Sequence, residues 1–239
     1  MGRIDEGSRI VILSGAGLSR ASGVPTFRDA DGLWRGHRFE EVASPLAWAR
    51  DRELVRVFYD ERRLKGAQVL PNPGHEALSR LQHSLGRRRV VLVTQNVDGL
   101  LQKAGAIEVL EMHGSLWRLR CEADDAHPHV GVYGAQDREA RCVECGAWLR
   151  PDVVWFGEIP RHMERIAEAL STCELFVSVG TSGVVYPAAG FAALAHQYGA
   201  TTVEVNPRPS GGAFDEVVAE GSEVALPRLV AEWLGEEPG

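Results

Sequence analysis

The sequence predicts an α/β fold: a Rossmann-like parallel sheet with helices on both faces, plus a small inserted subdomain of helices and a cysteine-bearing ribbon. Three observations carry this reading. Five short apolar runs each end in glycine or a polar residue. Segments with helical periodicity separate them, which is the alternation of βα units. Two stretches break that alternation, 31 to about 68 and 117 to about 153, and the second holds three of the four cysteines.

The strands come in the order "RIVILSGAG" (Arg9 to Gly17), "RRVVLVTQN" (Arg88 to Asn96), "IEVLEMHG" (Ile107 to Gly114), "ELFVSVGTSG" (Glu174 to Gly183) and "TTVEVNP" (Thr201 to Pro207). Near-continuous apolar character marks strands buried on both faces, as in a parallel sheet. Between them, "NPGHEALSRLQHSLG", "MERIAEALSTC" and "PAAGFAALAHQYG" read as helices. The amphipathic "LPRLVAEWLG" closes the chain as a last helix. There is no internal repeat and no low-complexity stretch. The organisation expected is one domain over 1–239. Its Rossmann-like part covers about 1–35, 69–116 and 154–239, and its small subdomain about 36–68 and 117–153.

Composition narrows the function classes. The 239 residues suffice for one large domain with a substantial core. A formal charge of −7 and a pI near 5.6 argue against nucleic acid as a partner, because phosphate contacts need clustered Lys and Arg. No apolar run approaches the roughly 20 residues that span a bilayer, and the polar start "MGRIDEGSR" lacks the apolar centre of a signal peptide. A cytoplasmic protein is expected, with no membrane partner. Cysteines there serve as metal ligands or buried thiols rather than disulfides.

In an open parallel sheet, ligands bind in the crevice beyond the carboxyl ends of the strands. Gly15, Gln95, Asn96, Asp98, His113, Thr181, Ser182 and Asn206 all follow strands, so they are expected to converge there. Polar groups at buried strand ends need partners. Gly15 and Gly17 would let the first βα turn approach a pyrophosphate at a helix start. Alone the turn is a weak signal, since Arg20 stands where the third glycine of the dinucleotide fingerprint falls.

Together, "GAGLSRASGVPTFR", "TQNVDGL", the "HG" of His113 and Gly114, "VVWFGE", "GTSGVVYPAAG" and "VEVN" resemble, in that order, the sirtuins, the NAD-dependent protein lysine deacylases. The resemblance runs from about Arg9 to Leu234. It implies NAD as cofactor, held by Gly15, Ala16, Gly17, Ser19, Pro25, Thr26, Phe27, Arg28 and Trp34 on the first loop. Gln95, Asn96, Val97 and Asp98 would frame the nicotinamide ribose and carboxamide. Gly180, Thr181, Ser182, Asn206, Pro207, Arg208 and Ser222 would complete the pocket toward the adenosine. His113 would be the general base that deprotonates a ribose hydroxyl after the acyl-lysine oxygen has displaced nicotinamide. An imidazole suits that task because its ordinary pKa, about 6.5, lies near neutrality.

The same resemblance implies acylated protein lysines as partners, bound as an extended peptide between Val154, Phe156, Gly157 and Glu158 on one side and Val184 and Val185 on the other. A monomer is the expected state. "EEVASPLAWARDRELVRVFYDERR" resembles the class that removes acidic acyl groups such as succinyl and malonyl as well as acetyl. There Ala43 would leave room in the acyl channel, and Tyr59 and Arg62, three apart on a helix, would grip the distal carboxylate. Transfer of ADP-ribose to a protein side chain, or a non-catalytic NAD sensor, would use the same pocket.

Sirtuins carry a structural zinc between two CxxC pairs. Here Cys142 and Cys145 form the second pair, whereas the first reads Cys121-Glu122-Ala123-Asp124. Asp124 takes the fourth motif position, making Cys121, Asp124, Cys142 and Cys145 the expected zinc set. His127 or His129 are further donors that zinc accepts. Cys173 lies outside this ribbon and reads as core.

Overall fold

The structure, a computed structural model, describes residues 7–25, 33–34 and 37–236. Its strands are β1 (Ile10–Ser14), β2 (Leu33–Trp34), β3 (His37–Arg38), β4 (Val90–Thr94), β5 (Val109–Glu111), β6 (Gly114–Cys121), β7 (Val130–Gly131), β8 (Leu149–Val153), β9 (Leu175–Val179), β10 (Thr201–Val205) and β11 (Glu216–Val218). Its helices are α1 (Ala16–Ser19), α2 (Phe39–Val42), α3 (Pro45–Arg50), α4 (Arg52–Gly66), α5 (Pro73–Leu85), α6 (Leu100–Lys103), α7 (Met163–Leu170), α8 (Phe191–Gln197) and α9 (Ser222–Trp233).

Six strands form one sheet in the order β11-β10-β9-β1-β4-β5, and every pairing is parallel. β1 shows why its run is apolar throughout. Ile10 and Ile12 enter the core built with α5 and α9, while Val11 and Leu13 enter the opposite core with α7 and α8. Each such fully buried side chain contributes roughly 1.5–3 kcal/mol. The chain leaves β1 toward β4 on one side and later returns to β9 on the other. The crevice of a doubly wound sheet opens at that switch point, between β1 and β9.

Two features depart from the sequence expectation. The sheet has a sixth strand, β11, whose three residues pair with β10 at the edge; "EVV" is too short to show a strand period. The last helix starts at Ser222 rather than at Leu226-Pro227. Its added first turn drives Ala225 and Leu226 fully into the core, and that burial outweighs Pro227 inside the helix.

α5 begins at a reciprocal cap. Asn72 Oδ1 accepts the Gly74 N–H at 2.9 Å, and His75 Nδ1 accepts the Asn72 N–H at 3.2 Å. The smaller lobe packs α3 and α4 on the antiparallel strands β6 and β8, through Val42, Ala47, Trp48, Val55, Phe58, Tyr59, Leu116 and Trp155. Arg63, wholly buried on α4, donates to the carbonyls of Gly134 and Leu116 and pairs with Asp60, tying helix, strand and ribbon together. No described helix is long and apolar enough to cross a membrane.

Candidate active site

The loops after β1 and β9 touch at the switch point. The Gly17 N–H donates to the Gly180 carbonyl at 2.9 Å, and a Cβ on Gly17 would stand 2.6 Å from Gly180 Cα. Gly15 would meet the same carbonyl at 2.9 Å. The glycines are therefore required first by the contact between the two loops. This leaves backbone, free of side chains, lining the floor of the crevice. That cradle fits a dinucleotide.

Polar residues after β4 satisfy one another around Ser19. Its hydroxyl donates to Asp98 Oδ2 at 2.6 Å and accepts from Asn96 Nδ2 at 3.1 Å. His75 Nε2 lies 3.3 Å from the same oxygen. Because His75 Nδ1 already accepts the Asn72 N–H, the proton sits on Nε2 and is donated to Ser19. Burial drives the His75 pKa down to about 4, so the ring stays neutral at physiological pH. Burial pushes the Asp98 carboxyl up, against the hydrogen bonds from Ser19 and the Leu100 N–H. Asn96 Nδ2 also reaches the Gly15 carbonyl at 3.0 Å, joining this network to the glycine loop.

His113 stands beside it. Its Nδ1 lies 3.0 Å from the Gln95 carbonyl, which can only accept, so Nδ1 carries the proton and Nε2 is the basic nitrogen. Burial lowers the His113 pKa, and the bond to Gln95 opposes that shift. Gly114 has φ +76°, and a Cβ there would collide with the Asp152 carbonyl. Glycine lets β8 close against β6 directly behind the imidazole, where the Val154 N–H holds the His113 carbonyl at 2.9 Å.

At the far end of the crevice, Asn206 Nδ2 donates to the Thr181 carbonyl at 2.9 Å, and Thr181 shares a hydrogen bond with Ser178. Ser222 is buried, and among the described residues its hydroxyl has no partner. Ala16, Val97 and Ser182 are half-buried along the crevice, while Pro25, Pro207 and Arg208 are exposed at its rim. Thr26, Phe27 and Arg28 lie outside the described residues, and of Trp34 only the backbone is described.

Val184 and Val185 are exposed, as is Phe156, whose N–H donates to the Ala43 carbonyl at 3.0 Å. Val154 is half-buried and Gly157 exposed beside them. The Glu158 side chain is engaged within the loop itself. Its carboxylate is bound by Arg150 at 2.7 and 2.9 Å, by Arg120 at 3.2 Å and by the Trp155 N–H at 2.7 Å. It braces the loop from within. Ala43 is buried near Tyr59, whose hydroxyl accepts the Trp155 Nε1–H at 2.9 Å. Burial drives the Tyr59 pKa up to about 12, so its own proton stays available to donate. Burial brings Arg62 down to about 10, with Tyr59 opposing; the guanidinium remains charged near neutrality.

The cysteine ribbon brings together Cys121, His127, Cys142 and Cys145, with ligand atoms within 4.8 Å of one another. Cys121 and Cys145 sulfurs are 3.5 Å apart, and Cys142 Sγ is 3.4 Å from His127 Nδ1. Three thiols and one imidazole at these spacings fit tetrahedral zinc. The expected fourth ligand, Asp124, is corrected to His127. Asp124 Oδ1 is held by the Ala126 N–H, and Oδ2 lies 3.7 Å behind His127 Nε2. His129 instead faces Asp125 and Asp152. Cys173 is buried in the main core, as expected.

The sequence reading missed His75 and the bracing pair Arg150–Glu158. A histidine at the third position after a helix-capping asparagine was the available signal for the first. No local pattern marks the second.

Comparison with known proteins agrees with this geometry. The Sir2 family profile matches residues 15–187. An NAD-dependent protein deacylase of Pasteurella multocida is 46% identical over 231 residues, covering 95% of this chain and 98% of that protein. A Sir2 homologue solved in complex with NAD superposes with a TM-score of 0.86 at 34% identity, over 96% of this chain and 91% of that one. A Sir2 protein bound to an acetylated peptide gives 0.79 at 26% identity, over 96% and 94%.

Proposed function

The chain belongs to the Sir2 family, and we propose that it is an NAD-dependent protein lysine deacylase that removes acetyl, succinyl and malonyl groups and yields nicotinamide and O-acyl-ADP-ribose. Deacylation with NAD is supported by the family and by relatives at nearly half identity along the whole chain. The preference for acidic acyl groups rests on one observation: Tyr59 and Arg62, two desolvated donors, influence each other on α4, with Tyr59 packed in the cluster that holds Ala43.

NAD bound in the crevice supplies an electrophilic ribose carbon and the hydroxyl that receives the acyl group. The residues of this chain do the rest. Gly15, Gly17 and Gly180 present backbone to it. The Ser19–Asp98–Asn96 network, oriented by neutral His75, presents fixed dipoles where the carboxamide would sit. His113, with Nδ1 anchored on Gln95, offers Nε2 as proton acceptor. The acylated lysine would enter as an extended strand beside Val184 and Val185, against Val154, Phe156 and Gly157. Zinc held by Cys121, His127, Cys142 and Cys145 would be structural, since no group of the proposed chemistry lies among its ligands.

A hydrogen bond to a charged group contributes about 1.5–3 kcal/mol, hence roughly a ten- to hundredfold preference for succinyl over acetyl. The test incubates acetyl-, malonyl-, succinyl- and glutaryl-lysine peptides with and without NAD and identifies products by mass spectrometry. Arg62→Met is expected to suppress the acidic substrates and largely spare acetyl. Equal losses across the panel overturn the acyl-carboxylate contact. Mass added to the peptide, in place of acyl loss, would establish ADP-ribosyl transfer instead.

A further inference from the structure

We propose a binding site for a phosphate-class oxyanion at the junction of α4 with the cysteine ribbon, formed by Arg52, Arg56 and Arg141 around the indoles of Trp48 and Trp148. Arg56 is the starting point. It is only 7% exposed, its Nε and Nη2 are buried without a hydrogen-bond partner, and among the described residues no acid pairs with it. Arginine keeps its charge and carries five N–H donors, so buried guanidinium donors without an acceptor, here Nε and Nη2, are among the costliest groups a fold can hold.

Arg56 packs instead between aromatic faces. Its guanidinium carbon lies 5.4 Å from the Trp48 ring centroid and 5.0 Å from that of Trp148. Arg52, one turn earlier, repeats the arrangement at 5.8 and 5.6 Å, and its Nε is also buried and unpartnered. Arg141 stacks on Trp148 at 3.0 Å. Cation–π contacts use the faces of a guanidinium and leave its in-plane donors unsatisfied.

Charge complements the geometry. Among the described residues one carboxylate reaches the cluster: Glu122, 3.7 Å from Arg52 Nη2 and already accepting the Trp48 Nε1–H. Glu53, next along α4, is taken up by Arg138 at 2.7 Å. Among the described residues, three guanidinium charges against one carboxylate leave a surplus of two, which matches a phosphate carrying about −1.5 to −2 near neutral pH. Water would satisfy the donors but not the charge. Arg52, whose side chain is 40% exposed, and the exposed Arg141 bring the cluster to the protein surface.

The test is calorimetric titration of the purified protein with inorganic phosphate at constant ionic strength, with the NAD crevice saturated so that it cannot take up the ion. One saturable site is expected, weakened by roughly ten- to a hundredfold in Arg56→Met and in Arg141→Ala. Arg141 is exposed, so its variant tests the site even where Arg56→Met disturbs packing. Arg80→Ala, at a distant surface pair, is expected to bind like the parent. Phenyl phosphate in a parallel arm separates the sources: tighter binding than phosphate points to a phosphate ester, and equal binding to the free ion. Absence of saturable uptake by the parent, or equal affinity in the parent and both site variants, overturns the proposal.

Discussion

Tyr59→Phe removes a single oxygen, and the structure says what that oxygen does. It accepts the Nε1–H of Trp155, an indole only 2% exposed, and on the proposed reading its own proton is donated to the acyl carboxylate. Loss of the acceptor orphans a buried N–H, a cost of about 1–3 kcal/mol in folding stability. Loss of the donor removes one charge-assisted hydrogen bond to an acidic acyl group, about 1.5–3 kcal/mol in transition-state stabilisation, or roughly ten- to a hundredfold in kcat/KM. An acetyl group carries no distal carboxylate, so its kcat/KM is expected to stay near the parent value. The succinyl-to-acetyl ratio of kcat/KM, measured beside a urea melt, separates the two effects. Because Tyr59 keeps its proton until about pH 12, the parent ratio is expected to hold until Arg62 begins to lose its charge near pH 10. A ratio unchanged by the substitution, with stability lowered, would show that the hydroxyl is merely a structural acceptor.

Burial lowers the His113 pKa, so kcat/KM for the acetyl substrate is expected to rise with pH through a midpoint under about 6.5. A rising limb centred above that value refutes the assignment of Nε2 as base. His75 is depressed to about 4 in the folded chain, so the unfolded chain binds its proton first as pH falls. Stability attributable to it is therefore complete above about pH 6.5 and lost toward pH 4, by at most about 3 kcal/mol, and His75→Asn is expected to flatten that dependence in urea melts at each pH. For the metal site, His127→Ala is expected to lower zinc content measured by atomic absorption, whereas Asp124→Ala retains it. The reverse result restores Asp124 as the ligand.

The main sheet was legible because both faces of its strands are buried and every βα turn carries glycine or a polar cluster. β11 was not, since three residues show no period, and neither was the first turn of α9, where Pro227 imitates a helix start. The places of the candidate residues were legible wherever one follows a strand, as for Asn96, Asp98, His113 and Asn206. They were illegible where long-range packing decides. His75 joins Ser19 across 56 residues, and Arg150 pairs with Glu158 from the neighbouring strand. The choice of His127 over Asp124 depends on how the ribbon folds back, which spacing alone leaves open.

The meeting of Gly17 with Gly180 carries a practical lesson for anyone wishing to trap this protein with its partners. A side chain at either position would act as a wedge between β1 and β9, splitting the sheet along its midline. A silent variant made there would confound lost chemistry with lost architecture. A dead yet intact protein is better sought at His113, whose imidazole can be exchanged without disturbing that seam.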